Sequence, residues 1–365
     1  KTAYEIVSRD WSSDVCSPDL SSATPSAGLG TDARLAAHLA RTGVDLSRTT
    51  IVALTGDASD RRYYRVTLPD GQRRVAAVHA GPIAHASMPF VNVASLFAAM
   101  PVPVPRVLDA SDELGVLVLD DLGDTTLYAW LPGASADQRT ARYREAIDLI
   151  GVIQARGAAL ASPDYVPYGL AFDVEKLTFE LQFFLTHFVE GHRGASVSPA
   201  ARAAFADAFR DIVDELAGEP RVVCHRDYHS RNLMLHDGHL VVIDFQDARM
   251  GPDTYDLASL VRDSYVDFTE AEVEGYLAHF RALRATRPGA ANETAEEFRR
   301  RFDLMSLQRN LKALGTFGFQ ASAKGNSTYL AFVPRTLALV GANLRRYPRF
   351  APLRALLAAV LPELR

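Results

Sequence analysis

Lysine is nearly missing from this chain. Of 39 basic residues only Lys1, Lys176, Lys312 and Lys324 are lysines, so almost every cationic duty falls to arginine, an imbalance explained most simply by a GC-rich coding bias that also raises alanine. Cysteine is scarcer still. Cys16 and Cys224 are too few and too far apart for a disulfide framework, and the expectation is a reducing compartment, the cytoplasm. Charge disappears altogether between Val75 and Pro105. Five prolines (82, 89, 101, 103 and 105) with His79, His85 and Asn92 interrupt that stretch, so no run of about 20 apolar residues is left to span a membrane. A formal charge of −5 over 365 residues, 23% of them charged and 48% hydrophobic, excludes both a basic nucleic-acid arm and a disordered tail. One large or two modest domains is the expectation, and no internal repeat of fixed period is present.

Residues 1–28 have neither helical nor strand periodicity and end in a Ser/Pro/Ala/Gly-rich stretch, which reads as a disordered leader. Residues 1–20 also resemble translated adapter sequence, and the segment is set aside from the fold argument. From Thr31 a short amphipathic helix (Leu35, Leu39, Val44) precedes β-rich segments at Thr50–Thr55, Tyr63–Leu68 and Arg74–His79. Pro69-Asp70-Gly71 supplies the turn between the last two, proline fixing φ and glycine taking φ > 0. Val104–Ala110 and Gly115–Leu119 add a strand pair. A boundary at about Asp121 separates this β-rich N-lobe (29–121) from a helical C-lobe (122–365). There, apolar residues at three- and four-residue spacing predict helices at Arg139–Ala158, Asp173–Glu190, Pro199–Ala217, Thr269–Arg284, Ala295–Gly315, Tyr329–Leu344 and Pro352–Leu364. Embedded among them, Leu233–Leu235 and Leu240–Ile243 flank an Asp-Gly hairpin signal.

That hairpin carries the chemistry. The segment V-V-C-H225-R226-D227-Y-H-S-R-N232 runs into its first strand, and its second ends in V-V-I-D244-F-Q-D247. Two strands joined by a tight turn return the chain to its starting point, so Asn232 and Asp244 lie at the same end. An amide oxygen and a carboxylate converging there suit a hard cation such as Mg²⁺, which takes one or two protein oxygens and completes its octahedron with water and substrate phosphates. Asp227, five residues before Asn232, is left to face a substrate. This is what phosphoryl transfer from ATP needs: a carboxylate that orients an attacking hydroxyl, and ligands for a metal that neutralises phosphate charge. The spacing H-R-D-x-x-x-x-N of kinase catalytic loops is met in full. His225, Asp227 and His229 also spell H-x-D-x-H, but no further histidine has zinc-hydrolase spacing. His225 is read as structural, its ring bonding the loop backbone.

H-R-D-Y-H-S-R-N-L-M and V-I-D-F-Q-D-A-R-M-G-P-D-T-Y-D-L-A-S-L resemble the aminoglycoside phosphotransferase and choline kinase-like family, and within it the bacterial anomeric kinases of N-acetylmuramate and N-acetylglucosamine. L-T-G-D-A-S-D-R-R-Y-Y-R-V (54–66), L-D-D-L-G-D (119–124) and L-Q-R-N-L-K-A-L-G (307–315) extend the likeness over about residues 50–350. The resemblance implies an α+β, bilobal, protein-kinase-like fold, with ATP and Mg²⁺ as cofactors and Asp227 as catalytic base. It makes Asn232 and Asp244 the metal ligands and Leu119–Leu122 a hinge for adenine, with Gly251 and Asp256 anchoring the loop. Gly56, Ala58 and Ser59 would cover the phosphates. The acceptor would be an amino sugar phosphorylated at its anomeric hydroxyl for cell-wall recycling, bound by a monomer with no nucleic-acid or membrane partner. Glu180, Arg231 and Asp247, with Asp227, are the expected lining of the sugar pocket.

Two departures stand out. The third strand, R74-V-A-A-V-H79, has no phosphate-binding lysine, and no acid in 75–105 could pair with one; Arg61, Arg62 or Arg74, or backbone amides at Gly56–Ser59, would take its place. A kinase for an aminoglycoside, choline or homoserine shares every catalytic letter. D-F-Q in place of D-F-G, with no A-P-E, speaks against a protein kinase, and the absent lysine motivates a non-catalytic nucleotide-binding alternative.

Overall fold

The computed structural model describes residues 30–54, 61–286 and 293–365; the leader and the expected phosphate-covering residues Gly56, Ala58 and Ser59 lie outside them. The chain divides into two compact units, one made of the chain up to Arg142 with Arg231–Asp247, the other of Tyr143–Ser230 with Ala248–Arg365.

In the first unit, helix α1 (Thr31–Arg41) precedes β1 (Thr50–Leu54), β2 (Arg62–Thr67) and β3 (Arg73–Val78); α2 (Pro89–Ala99) follows, then β4 (Val107–Ser111) and β5 (Val116–Asp120). The strands form one antiparallel sheet in the order β1-β2-β3-β5-β4. Period-two alternation sorts its side chains. Tyr64, Val66, Ala76, Val78, Val116 and Val118 pack with Leu35 and Leu39 of α1. Leu54, Tyr63, Val75, Ala77, Leu117 and Leu119 form the other face, against which Phe90 and Val91 of α2 lie. Each such aliphatic side chain contributes about 1.5–3 kcal/mol through burial. The expected Pro69-Asp70-Gly71 turn is present, Leu68 N–H donating to Gln72 O at 2.8 Å. Helix α2 was not expected. It falls in the charge-free stretch, where no polar face reveals a helical period, and it starts with Pro89 at its first position.

In the second unit, α3 (Ala136–Ala159, entering from the first unit) is followed by α4 (Val174–Phe183), which runs into a π-helical segment, Phe184–His192, and then by α5 (Pro199–Ala217). The chain then runs through four short strands, β6 (Arg221–Cys224), β7 (Leu233–His236), β8 (His239–Val242) and β9 (Arg249–Pro252), of which β6 and β9 belong to this unit and β7 and β8 to the first. β6 pairs with β9, and β7 with β8. Helices α6 (Tyr255–Val261), α7 (Glu270–Ala285), α8 (Ala295–Ser322), α9 (Val333–Arg346) and α10 (Ala351–Val360) complete it.

The β7–β8 hairpin groups with the β-rich unit, whereas the sequence pattern placed it in the helical part. Its apolar residues explain why: Met234, Val241 and Ile243 cluster with Leu122, and Leu235 N–H donates to Thr125 O at 2.8 Å. Helix α8 extends seven residues beyond its expected end at Gly315. Glycine there is a packing device and not a stop. A Cβ on Gly318 would fall 2.4 Å from the His187 carbonyl oxygen, and one on Gly315 would fall 2.8 Å from Phe184 Cα, so only glycine lets α8 press its backbone against the π-helical segment.

Candidate active site

Strand β6 delivers the chain into the loop His225–Asn232, and buried acids fasten that loop. The Asp256 carboxylate of α6 accepts from His225 N–H at 2.7 Å and Arg226 N–H at 3.0 Å. Asp263 accepts from both the backbone and the hydroxyl of Ser230, at 3.2 and 2.6 Å, and Tyr228 donates to Ala146 O at 2.8 Å. His225 has the structural role read from sequence, its Nδ1 accepting from Asp227 N–H at 3.3 Å. Gly251 packs where a Cβ would meet Phe172 at 2.6 Å. Arg226 has φ of +88°, a conformation that a non-glycine residue holds only when its surroundings impose it.

Burial pushes the Asp256 carboxyl up to about 6, against the two N–H donors and Arg309 that favour its ionised form. Asp256→Ala would strand two buried N–H groups at about 1–3 kcal/mol each. We expect a stability loss of about 2–6 kcal/mol on the same basis, measured by urea unfolding. A loss under about 1 kcal/mol would show that these bonds do not hold the loop.

Asp227 lies on this loop, buried in the helical unit. Three cations surround its carboxylate: Lys312 Nζ at 3.1 Å and Arg309 Nη1 at 3.5 Å from Oδ1, and Arg226 Nε at 3.8 Å from Oδ2. Burial alone would raise its pKa, but these charges reverse the shift and hold the carboxyl well below the usual range. Arg309 is itself fixed, donating to Arg226 O and Tyr255 Oη at 2.9 Å each and to Ser259 Oγ. Its guanidinium also lies 4.8 Å from the centre of the Tyr255 ring. Glu180, expected in the pocket lining, is buried in α4 and accepts from Gln308 Nε2 at 2.9 Å. Burial raises its pKa; Lys312, Lys176 and Arg226 more than offset this.

In the β-rich unit the hairpin brings Asn232 and Asp244 together as its topology requires. Asp237 and Gly238 make the turn with φ of +48° and +80°, Leu233 pairs with Val242, and Ile243 N–H donates to Asn232 O at 3.1 Å. Asn232 Nδ2 then donates to Asp244 Oδ2 at 3.1 Å, and Gln246 Nε2 to Asp244 Oδ1 at 2.8 Å. With its amide nitrogen directed at Asp244, Asn232 is in the orientation in which its carbonyl oxygen can serve a cation. Among the described residues no three His, Cys, Asp or Glu side chains gather closely enough to hold a metal. This two-oxygen donor set fits Mg²⁺ completed by water and phosphate. Asp244 has φ of +65°, a second imposed backbone at a motif residue. Phe245 beside it stacks on Phe90 of α2 with centroids 5.0 Å apart.

Of the expected nucleotide-site residues, Leu119 is buried in the sheet core and Leu122 in the cluster with the hairpin. Arg61 is half-buried and Arg62 exposed at the start of β2. Asp121, within the expected hinge, is buried, its carboxylate pairing with Arg65 Nε at 2.7 Å. Arg231 and Asp247 are half-buried at the two ends of the hairpin segment. Sequence reasoning missed Arg309 and Lys312. They lie inside the L-Q-R-N-L-K-A-L-G segment that carried part of the resemblance, and Lys312 is one of only four lysines.

A buried carboxylate among cations on a kinase-type loop, with an Asn–Asp oxygen pair after it and a five-stranded sheet before it, describes the protein-kinase-like phosphotransferases. The chain belongs to the phosphotransferase enzyme family, whose profile matches residues 50–298. It is 35% identical over 310 residues to the N-acetylmuramate/N-acetylglucosamine kinase of Neisseria meningitidis serogroup B, covering 84% of this chain and 89% of that one. Among solved structures its fold is similar to choline kinase from Cryptosporidium parvum Iowa II (TM-score 0.57, 10% identity, 89% of this chain and 99% of that one). A further likeness is to an ADP-bound aminoglycoside phosphotransferase (TM-score 0.55, 11% identity, 84% and 97%). The expected α+β kinase-like fold and phosphotransferase class are thus borne out. No helix among the described residues is long and apolar enough to cross a membrane.

Proposed function

We propose that this protein transfers the γ-phosphoryl group of ATP to the anomeric hydroxyl of N-acetylmuramate or N-acetylglucosamine, yielding the sugar 1-phosphate and ADP. The observation that carries the acceptor class is the relationship to the Neisseria kinase along nearly the full length of both chains. Asn232 and Asp244 would hold Mg²⁺, which neutralises phosphate charge when bound. Leu119 and Leu122 would border the adenine, with Gly56, Ala58, Ser59, Arg61 and Arg62 toward the phosphates. Arg231, Asp247 and Glu180 would shape the sugar site.

Asp227 takes the central part. A carboxyl held this acidic is too weak a base to remove the acceptor proton in advance. It orients the hydroxyl and accepts the proton as the acceptor oxygen bonds to phosphorus and the bond to the ADP oxygen breaks, in keeping with a loose transition state. ADP release with ATP and Mg²⁺, measured over N-acetylmuramate, N-acetylglucosamine, other hexoses, an aminoglycoside and choline, tests the reading. Turnover is expected on the two amino sugars. Turnover confined to the aminoglycoside or choline, or none on any acceptor, would overturn it.

A further inference from the structure

We propose that the β-rich unit carries an anion site of its own, apart from the catalytic loop: a cleft at the end of the sheet, built on Arg73 and Arg74, that takes the phosphate group of a small phosphomonoester. The cleft encloses about 490 Å³. Three guanidiniums, those of Arg73, Arg74 and Arg106, and the His236 imidazole share it with two carboxylates, Asp120 and Asp121.

Both carboxylates are already engaged. Asp120 accepts from Arg106 through its backbone N–H at 2.9 Å and through Nε and Nη2 at 2.8 and 2.9 Å. Asp121 accepts from Arg65 Nε at 2.7 Å and Nη2 at 2.9 Å, while Arg73 Nε stands 3.5 Å from it. The Arg74 guanidinium makes no hydrogen bond or ion pair among the described residues. Two cations, Arg73 exposed and Arg74 half-buried, therefore stand on one cleft without a carboxylate matched to them. Neighbouring like charges repel, and an anion placed between them reverses the sign of that interaction. The planar guanidinium fork matches phosphate geometry, two N–H donors to two oxygens. The volume is that of a small-molecule site and exceeds the needs of one phosphate group. Leu108, 40% exposed on its wall, offers apolar surface to the organic part of an ester.

Strand register separates this cleft from the expected adenine site. Val75 pairs with Leu119, and Arg74 with Asp120. Val75 and Leu119 lie on the face that packs against Phe90, so alternation turns Arg74 and Asp120 to the other side of the sheet. Arg73 reaches the cleft because β3 begins with it. The charge on Arg74 thus faces away from Leu119 and serves a different ligand.

Isothermal titration calorimetry on the full chain tests this, with ADP–Mg²⁺ and N-acetylglucosamine held at saturating concentrations so that the proposed active site is filled beforehand. The probes are N-acetylglucosamine 1-phosphate, glycerol 3-phosphate and inorganic phosphate, titrated into wild type and Arg73→Gln/Arg74→Gln. Wild type is expected to take one equivalent of a phosphomonoester, and the double variant to bind it at least tenfold more weakly, the loss expected when two charge-assisted contacts go. Tighter binding of the sugar 1-phosphate than of glycerol 3-phosphate would identify the reaction product as the source, and the opposite order another phosphorylated metabolite; both support the site. Inorganic phosphate binding more tightly than either ester would overturn the ester assignment. Undiminished affinity in the double variant, or no binding of any probe, would overturn the site itself. Absence of ADP release on the amino sugars would strike the function proposed above and leave this inference standing, because the arginine variants locate the binding whichever acceptor the enzyme uses.

Discussion

Asp227→Asn, folded as wild type by circular dichroism, is expected to release ADP at least 10³ times more slowly with an amino sugar and ATP–Mg²⁺. The asparagine keeps the shape and one acceptor oxygen but removes the negative charge and the capacity to take a proton, and general-base loss alone accounts for about 10²–10⁴-fold. The surroundings add to the effect. Lys312, Arg309 and Arg226 are buried around a carboxylate, and a neutral amide leaves them without it, which costs stability as well as rate. Melting temperature is therefore to be measured alongside. A variant that retains more than about a tenth of the wild-type kcat would show that another group takes the acceptor proton.

Asp244→Asn is expected to match that loss, with a different signature. Asp244 accepts one amide hydrogen on each oxygen, from Asn232 and Gln246, so both oxygens are held in place before any cation arrives. An amide there keeps the volume, supplies at most one oxygen and carries no charge. The expected result is a fall of at least 10³ in kcat at 1 mM Mg²⁺, on the scale of losing a metal that neutralises phosphate charge. Partial recovery at high Mg²⁺ or with Mn²⁺ should follow. An unchanged Mg²⁺ dependence in this variant would remove Asp244 from the metal site.

Local chemistry made much of this legible in the sequence. Period-two alternation and the Pro69-Asp70-Gly71 and Asp237-Gly238 turns place the sheet and the hairpin, and the hairpin in turn dictates that Asn232 and Asp244 meet. Burial that lacks a polar counterface was not legible. Helix α2 is apolar nearly throughout and so displays no one-sided pattern, while the apolar spacing that marks α8 as a helix does not reveal that Gln308, Arg309 and Lys312 are buried along with it. The missed cations share this cause. Nothing in a linear pattern says that position 312 reaches a carboxylate 85 residues earlier in the chain. The grouping of the hairpin with the β-rich unit likewise depends on Leu122 meeting Met234, Val241 and Ile243, a contact between segments more than a hundred residues apart.

The burial of α8 sets how the cations on Asp227 can move. Its side chains are buried along most of its length, from Phe298 to Gly318, and Gly315 and Gly318 bring its backbone against the π-helical segment. Displacing Lys312 or Arg309 with their helix would break that seam, so the free energy of such a displacement approaches that of opening the whole helical unit. Electrostatic preorganisation at Asp227 is thus established at folding and is not assembled when substrate arrives. The electrostatic field at the Asp227 carboxylate is accordingly a fixed property of the folded helical unit, as hard to alter as the unit is to open.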